Sequence, residues 1–167
     1  LCNAPSNLRV NSASGEVTDD SFFGRLYRRA EGHLQSGDPA AAIRAVAPEL
    51  ARFDEDYRHG SQLNYLIAGA YSEMGDVDRA YDCYVKAKDL DPAVIRTPSA
   101  FNQMVASVAA EEQVPLIDAV GACRKAVPDG IPDDRLFLDN CHFRLEAHIL
   151  VARAFRDAIR ARRSISP

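Results

Sequence analysis

The sequence predicts a mainly α-helical fold that also contains a small α/β part. Residues 64–92 have the apolar spacing of two amphipathic helices, hinged at Gly75-Asp76. Residues 26–46 repeat part of that spacing. Residues 97–159 instead give the order helix, short apolar run, Pro- and Gly-rich loop and helix, which is typical of an α/β structure. We therefore expect two helical hairpins and one α/β part.

Composition and charge place the chain among folded globular proteins. Of its 167 residues, 47% are hydrophobic, and the formal net charge of -4 leaves no broad basic surface for nucleic-acid phosphates. No apolar run reaches the roughly eighteen residues of a bilayer span, so we expect no membrane segment. Four cysteines without a Cys-x-x-Cys pair favour reduced thiols and a reducing, cytoplasmic compartment. The start at Leu1 is neither an initiator Met nor a signal peptide, which indicates a cut or processed N-terminus.

The later hairpin carries the packing pattern of a known helical repeat. Small residues occupy the positions where its two helices approach, tyrosines supply bulk, and a proline ends the second helix. The segment resembles a tetratricopeptide repeat. The residues that carry the resemblance are Ala68, Ala80, Ala87, Tyr71, Tyr84 and Pro92.

An earlier copy of the repeat has matching residues at the same relative positions. Asp38 is its expected N-cap and Pro39 its first helical residue, while Pro48 interrupts its second helix. Because each hairpin needs neighbours on both sides to cover its apolar surface, two repeats need a further element as a cap. The matching residues are Leu26, Ala30, Gly37, Ala42 and Val46.

The resemblance implies that the first helices of the two repeats form a concave face that binds a peptide or a partner helix. The family geometry places five side chains on that face, and their alternative role is plain solvent exposure. The five are Tyr27, Glu31, Tyr65, Ser72 and Glu73.

The α/β part begins at Thr97-Pro98, where we expect a helix that ends near Glu112. Residues 114–120 form an apolar run with the length of a buried strand, and the loop PDGIPDD comes after it. The last helix has one apolar face, and the arginines near its end suit the negative end of the helix dipole. The apolar faces of the two helices are Phe101, Met104, Val105 and Val108, and Leu145, Ile149, Ala152, Phe155 and Ile159.

Residues 99–155 contain VPLID, LFLDNCH and EAHILVARAF in that order. They resemble the C-terminal portion of an SGNH (GDSL-type) hydrolase, specifically of bacterial members that carry tetratricopeptide repeats inside the chain. LCNAPSNLRV at residues 1–10 is similar to the strand and Asn-Leu-Arg exit before those repeats. The resemblance implies a flavodoxin-like, three-layer α/β domain with helical hairpins inserted in its C-terminal part. Its parts would be a strand and exit loop (1–18), two hairpins (19–95) and a C-terminal helix, strand, loop and helix (96–167).

The resemblance also implies two members of a catalytic triad, Asp139 and His142. His142 would accept the proton of a serine hydroxyl and return it to the leaving alcohol, while Asp139 would orient the ring. In the family the Gly-Asp-Ser nucleophile lies upstream of the segments that this sequence resembles, so it cannot be assigned here. The lookalike at Ser21 is better explained as a helix N-cap. The expected function is a serine esterase whose partner is the missing N-terminal part of the hydrolase domain, without which the chain is inactive.

Three other interpretations compete with this one. Cys141 beside His142 suggests a thiol nucleophile, but neighbours on a loop rarely point at each other, so we expect an inert thiol. A metal site matches no standard zinc spacing, so we predict no metal and no cofactor, and a structural His148. A non-catalytic binding module of tetratricopeptide repeats on an α/β scaffold is the alternative function. The candidate metal ligands are Asp139, Cys141, His142 and His148.

Overall fold

The computed structural model describes residues 1–10, 17–93 and 95–163, with side chains as far as residue 161. Within these ranges the chain is mainly α-helical, as predicted, and no helix is long and apolar enough to cross a membrane. The contacts divide the chain into two compact units, Asn11–Val94, and Leu1–Val10 with Ile95–Pro167. The α-helices are α1 (Phe22–Gln35), α2 (Pro39–Val46), α3 (Tyr57–Glu73), α4 (Val77–Asp89), α5 (Ser99–Glu111), α6 (Ala119–Ala126) and α7 (Leu145–Arg163).

Polar caps begin the first two helices of the Asn11–Val94 unit. Ser21 Oγ accepts a hydrogen bond from the Gly24 N–H at 3.0 Å, and the Asp38 carboxylate accepts one from the Ala41 N–H at 2.8 Å. Pro39 is the first residue of α2, where its missing N–H breaks no helical hydrogen bond. The predicted cap roles of Ser21 and Asp38 are confirmed.

Pro48 changes the course of the second helix. α2 ends at Val46 and the chain continues as a 3-10 helix, Ala47–Phe53, because Pro48 has no backbone N–H to extend the α-helical ladder. The predicted interruption is therefore confirmed. The buried core of this unit comprises Phe23, Leu26, Ala30, Ala42, Val46, Phe53, Leu63, Leu66 and Ile67.

α3 and α4 form the hairpin that the sequence predicts. Gly75 has a φ of 75°, in the left-handed region that glycine adopts without steric cost. Asp76 then caps α4 by accepting the Arg79 N–H at 3.2 Å. The alanines at the predicted helix contact are buried, which lets the two helices approach closely. They are Ala68, Ala80 and Ala87.

The predicted strand at residues 114–120 is not formed in the described part of the chain. Ile117 makes one isolated parallel bridge with Cys2, flanked by backbone hydrogen bonds of 2.8 and 3.3 Å. Asp118 then caps α6 by accepting the Gly121 N–H at 2.9 Å, so the last two residues of the predicted strand are helical. Parallel pairing depends on further strands and on cover from both faces. The three-layer α/β domain therefore stays a prediction.

The outer helices of the second unit leave their predicted apolar faces exposed within the described residues. α5 begins after Pro98 and ends at Glu111, as predicted, but three of its apolar side chains are exposed. α7 packs through Ala147, which is fully buried in a core with Cys123, Val127, Leu136 and Phe137. The exposed apolar residues are Phe101, Met104 and Val108 on α5, and Leu145, Ile149, Phe155 and Ile159 on α7.

Candidate active site

Asn7 fastens the N-terminal segment to the loop that carries the candidate site. Its side chain is fully buried, and its Nδ2 donates to Asp134 Oδ1 at 2.8 Å and to the Asp139 carbonyl at 3.1 Å. The Asn7 N–H donates to the Asn140 carbonyl at 3.1 Å. Because a buried amide left without partners is costly, these bonds fix the loop in one position.

Ion pairs brace the start of the same loop. Arg9 Nη2 lies 2.6 Å from Asp129 Oδ2. Arg135 bridges Asp129 and Asp133, with N···O distances of 2.9 and 2.8 Å. Partly exposed pairs of this kind each contribute no more than about 1 kcal/mol, but the shared carboxylate of Asp129 joins the two arginines into one network.

Asp139 folds the next three residues into a tight turn. Its Oδ1 accepts the Cys141 N–H at 3.0 Å and the His142 N–H at 2.9 Å. The Leu138 N–H donates to the His142 carbonyl at 2.8 Å. The hydrogen bonds from the Cys141 and His142 N–H groups, followed by that from the His142 ring, lower the pKa of Asp139 to about 2. The carboxylate is therefore ionised at neutral pH.

The imidazole of His142 pairs with the remaining oxygen of that carboxylate. His142 Nδ1 lies 2.7 Å from Asp139 Oδ2. Because an ionised carboxylate only accepts hydrogen bonds, Nδ1 carries a hydrogen, and in the neutral form of the ring Nε2 is then the acceptor. The His142 side chain is 74% exposed, and no serine hydroxyl of the described residues hydrogen-bonds to it. The two residues predicted to be catalytic thus lie together, in the arrangement that a general base needs.

Of the other two candidate residues, Cys141 lies close to the Asp139–His142 pair, whereas His148 packs against a different ring. Cys141 Sγ lies 3.9 Å from His142 Nδ1, the nitrogen that already bonds to Asp139, so the thiol is not placed to give its proton to Nε2. One donor atom each of Asp139, Cys141 and His142 lies within 4.8 Å of the others. His148 instead meets the Phe143 ring edge-on, with centroids 5.4 Å apart. That ring contact supports the structural role predicted for His148.

Sequence reasoning overlooked a second Asp-x-x-His, formed by Asp56 and His59. Asp56 caps α3 by accepting the His59 N–H at 3.3 Å, and its Oδ2 lies 2.6 Å from His59 Nδ1. The His59 ring stacks on Phe23, with centroids 3.9 Å apart. The spacing alone could have found this pair, whereas no sequence signal marks the burial of Asn7.

The five residues predicted to bind a partner differ in exposure. Tyr27 is half-buried beside Phe23, with ring centroids 5.8 Å apart, and Tyr65 meets Tyr84 edge-on at 5.4 Å. Ser72 is half-buried as well. Only the carboxylates of the set are fully on the surface, so binding by the set of five stays a prediction. The exposed members are Glu31 and Glu73.

Comparison of the sequence with protein-family models and with curated proteins finds no match, and comparison of the fold with solved structures finds none either.

Proposed function

We propose that Asp139 and His142 are the orienting carboxylate and the general base of a serine ester hydrolase. The attacking hydroxyl would come from polypeptide outside this sequence. The observation that carries the proposal is the 2.7 Å contact between His142 Nδ1 and Asp139 Oδ2, with the ring exposed to solvent. The resemblance of the surrounding segments to SGNH hydrolases, an expectation from the sequence, suggests the same assignment.

The chemistry follows from the tautomer that the carboxylate selects. His142 Nε2 takes the proton of the serine hydroxyl as its oxygen attacks the ester carbonyl carbon. Asp139 stabilises the imidazolium that forms, and it remains ionised because its pKa is held at about 2. Nε2 then gives the proton to the departing alcohol, and a water molecule repeats the sequence to release the acid.

Several contacts hold this pair without using the reacting atoms. Asp139 Oδ1 is occupied by two backbone N–H groups, so Oδ2 keeps a fixed direction toward the ring. Asn7 holds the Asp139 carbonyl from the buried side. A base that is positioned by such a supporting shell needs little reorganisation when a substrate arrives.

The test is hydrolysis of p-nitrophenyl acetate by the intact polypeptide that contains this sequence. We expect His142→Ala and Asp139→Asn to lower kcat by about 10³-fold or more, because both remove a member of the relay. His59→Ala removes the ring from the other Asp-x-x-His and is the matched control, with kcat unchanged. Equal activity in His142→Ala and wild type would refute the proposal, and the 167-residue chain by itself is expected to be inactive.

A second function, binding of a basic peptide by the helical hairpins, is favoured by one observation. Glu31 and Glu73 are exposed on the first helices of the two hairpins and form no salt bridge with any described residue. Their carboxylates are therefore available to a cationic partner. Loss of both charges should weaken recovery of such a partner in a pull-down, whereas Glu146→Gln on α7 should not. Binding that is insensitive to Glu31→Gln with Glu73→Gln would exclude this function.

A further inference from the structure

The turn that orients His142 also brings together three side chains of types that bind transition metals in proteins. Asp139, Cys141 and His142 each offer one donor atom, and these atoms lie within 4.8 Å of one another. The spacing of these residues in the sequence predicts no metal site, because it matches no standard zinc pattern. His148, the fourth candidate ligand, is not part of the group in the structure. The grouping depends on the fold of the turn, which spacing rules do not describe.

We propose that Asp139, Cys141 and His142 form a binding site for one thiophilic divalent cation of the zinc type. Thiolate, imidazole and carboxylate are the three ligand types that Zn²⁺ prefers, and three protein ligands plus water are typical of an open zinc site. The ring of His142 is 74% exposed, so water can reach the fourth position.

The distances require only a small adjustment. Zinc–ligand bonds of about 2.0–2.3 Å in a tetrahedron place donor atoms roughly 3.3–3.7 Å apart. Cys141 Sγ and His142 Nδ1 are already 3.9 Å apart. Asp139 Oδ2 and His142 Nδ1 are 2.7 Å apart and must separate, as happens when a cation replaces the hydrogen between them. Asp139 Oδ1 stays on its two backbone N–H groups, which keeps Oδ2 in place as the ligand.

Binding changes the protons of the site in a defined way. The Cys141 thiol releases its proton to solvent, and the hydrogen of His142 Nδ1 is replaced by the metal while Nε2 gains one. One proton is released overall from the neutral side chains. If the proposed esterase role is correct, and this consequence rests on it, the metal inhibits, because Nε2–H cannot accept the proton of a serine.

A Co²⁺ titration of the 167-residue chain, followed by absorption, tests the site directly. We expect a thiolate-to-cobalt charge-transfer band that saturates at one Co²⁺ per chain and disappears when Zn²⁺ is added. Cys141→Ser should abolish the band, and Asp139→Asn should weaken Co²⁺ binding by at least about tenfold. Cys83→Ser and His59→Ala are controls that should leave the titration unchanged.

Two results would overturn the site: a wild-type chain without the band, or a band that persists in Cys141→Ser. Cys141→Ser replaces a partly exposed thiol by a hydroxyl of similar shape, and far-UV circular dichroism of the variant confirms that it is folded. The readout does not depend on catalysis. Failure of the ester hydrolysis assay therefore leaves this inference standing, and a missing cobalt band leaves the proposed function standing.

Discussion

The two Asp-x-x-His segments of this chain share a local geometry and differ in their surroundings. In each, the aspartate accepts the histidine N–H three residues later, and the Nδ1–carboxylate distance is 2.6 Å for His59 and 2.7 Å for His142. His59 stacks on Phe23 and stands edge-on to Phe53. The His142 ring makes no stacked or edge-on contact with another ring among the described residues, and its side chain is 74% exposed.

The Asp-x-x-His motif therefore predicts a local turn, and the surroundings of that turn decide what its histidine can do. Asp56 serves as the N-cap of α3, and its histidine fills a position beside the aromatic core. Asp139 caps none of the helices in the described part of the chain, and the His142 side chain in its turn is largely exposed to solvent. A ring held by a carboxylate and open at Nε2 suits proton transfer, whereas a ring packed against phenylalanine suits stability.

Phe23→Ala should have the largest effect on stability, because Phe23 packs against His59 of the first Asp-x-x-His segment. Phe23 is 4% exposed and supports the His59 ring, so its truncation leaves a cavity and should lower the free energy of unfolding of this unit by about 3–5 kcal/mol. Urea unfolding, followed by the amide signals of α1 and α3, measures the loss. Phe22→Ala, at a 42% exposed neighbour, is the control and should cost about 1 kcal/mol or less. Equal losses would show that the ring beneath His59 is not a core residue.

Asn7→Ala should have the second-largest effect, on the turn that contains Asp139 and His142. It leaves the Asp139 and Asp134 oxygens without the buried amide donor, which should cost about 2 kcal/mol. The measurement is hydrogen exchange at the Cys141 and His142 amides, which should quicken as the turn loosens. Asn102→Ala also removes two hydrogen bonds, to the backbone of Ala4, but at exposed positions, so it should cost less. A rigid turn in Asn7→Ala would contradict the anchoring role.

The two histidines should also differ in how much each contributes to the stability of the protein. His59→Ala removes a stacked and an edge-on ring contact and should destabilise its unit by about 1 kcal/mol. His142→Ala removes an exposed ring and should change stability by less than about 0.5 kcal/mol. Thermal unfolding of both variants measures the difference. The opposite order would mean that His142 is a packing residue.

The smallest expected effect is the loss of the Asp139 turn's stabilisation at acid pH. The Asp139 carboxyl should titrate with a pKa of about 2, because two backbone N–H groups favour its ionised form. Since the folded-state pKa lies below the ordinary value of about 3.9, the stabilisation of the turn is complete above that value and is lost as the pH falls through about 2. The carbon-13 shift of the carboxyl group measures this titration. A midpoint near 4 would indicate that the turn is open in solution.

Local signals in the sequence predicted much of the helical part. Ser21 and Asp38 are predicted caps that act within four residues, and Gly75-Asp76 forms the predicted hinge between α3 and α4. Pro48 ends an α-helix because its nitrogen carries no hydrogen. Such effects need no knowledge of the tertiary fold. For this reason the helix starts and the interruption agree with the structure.

Features that depend on distant partners could not be predicted in the same way. Residues 114–120 have the composition of a buried strand, but a strand forms only beside other strands, and Asp118 starts a helix within the run. Asn7 has no local pattern that reveals its contact with Asp139. The pairing of Asp139 with His142 was predicted from a resemblance, and the closeness of Cys141 became visible only in the turn itself.

The tautomer of His142 tests the central claim most directly. Nitrogen-15 shifts of the ring at neutral pH distinguish a hydrogen on Nδ1 from one on Nε2, and His59 serves as the internal reference for a carboxylate-paired ring. We predict that His142 carries its hydrogen on Nδ1 and that Asp139→Asn removes this preference. A neutral ring with its hydrogen on Nε2 and none on Nδ1 in the wild-type chain would contradict the assignment of His142 as a base oriented by Asp139.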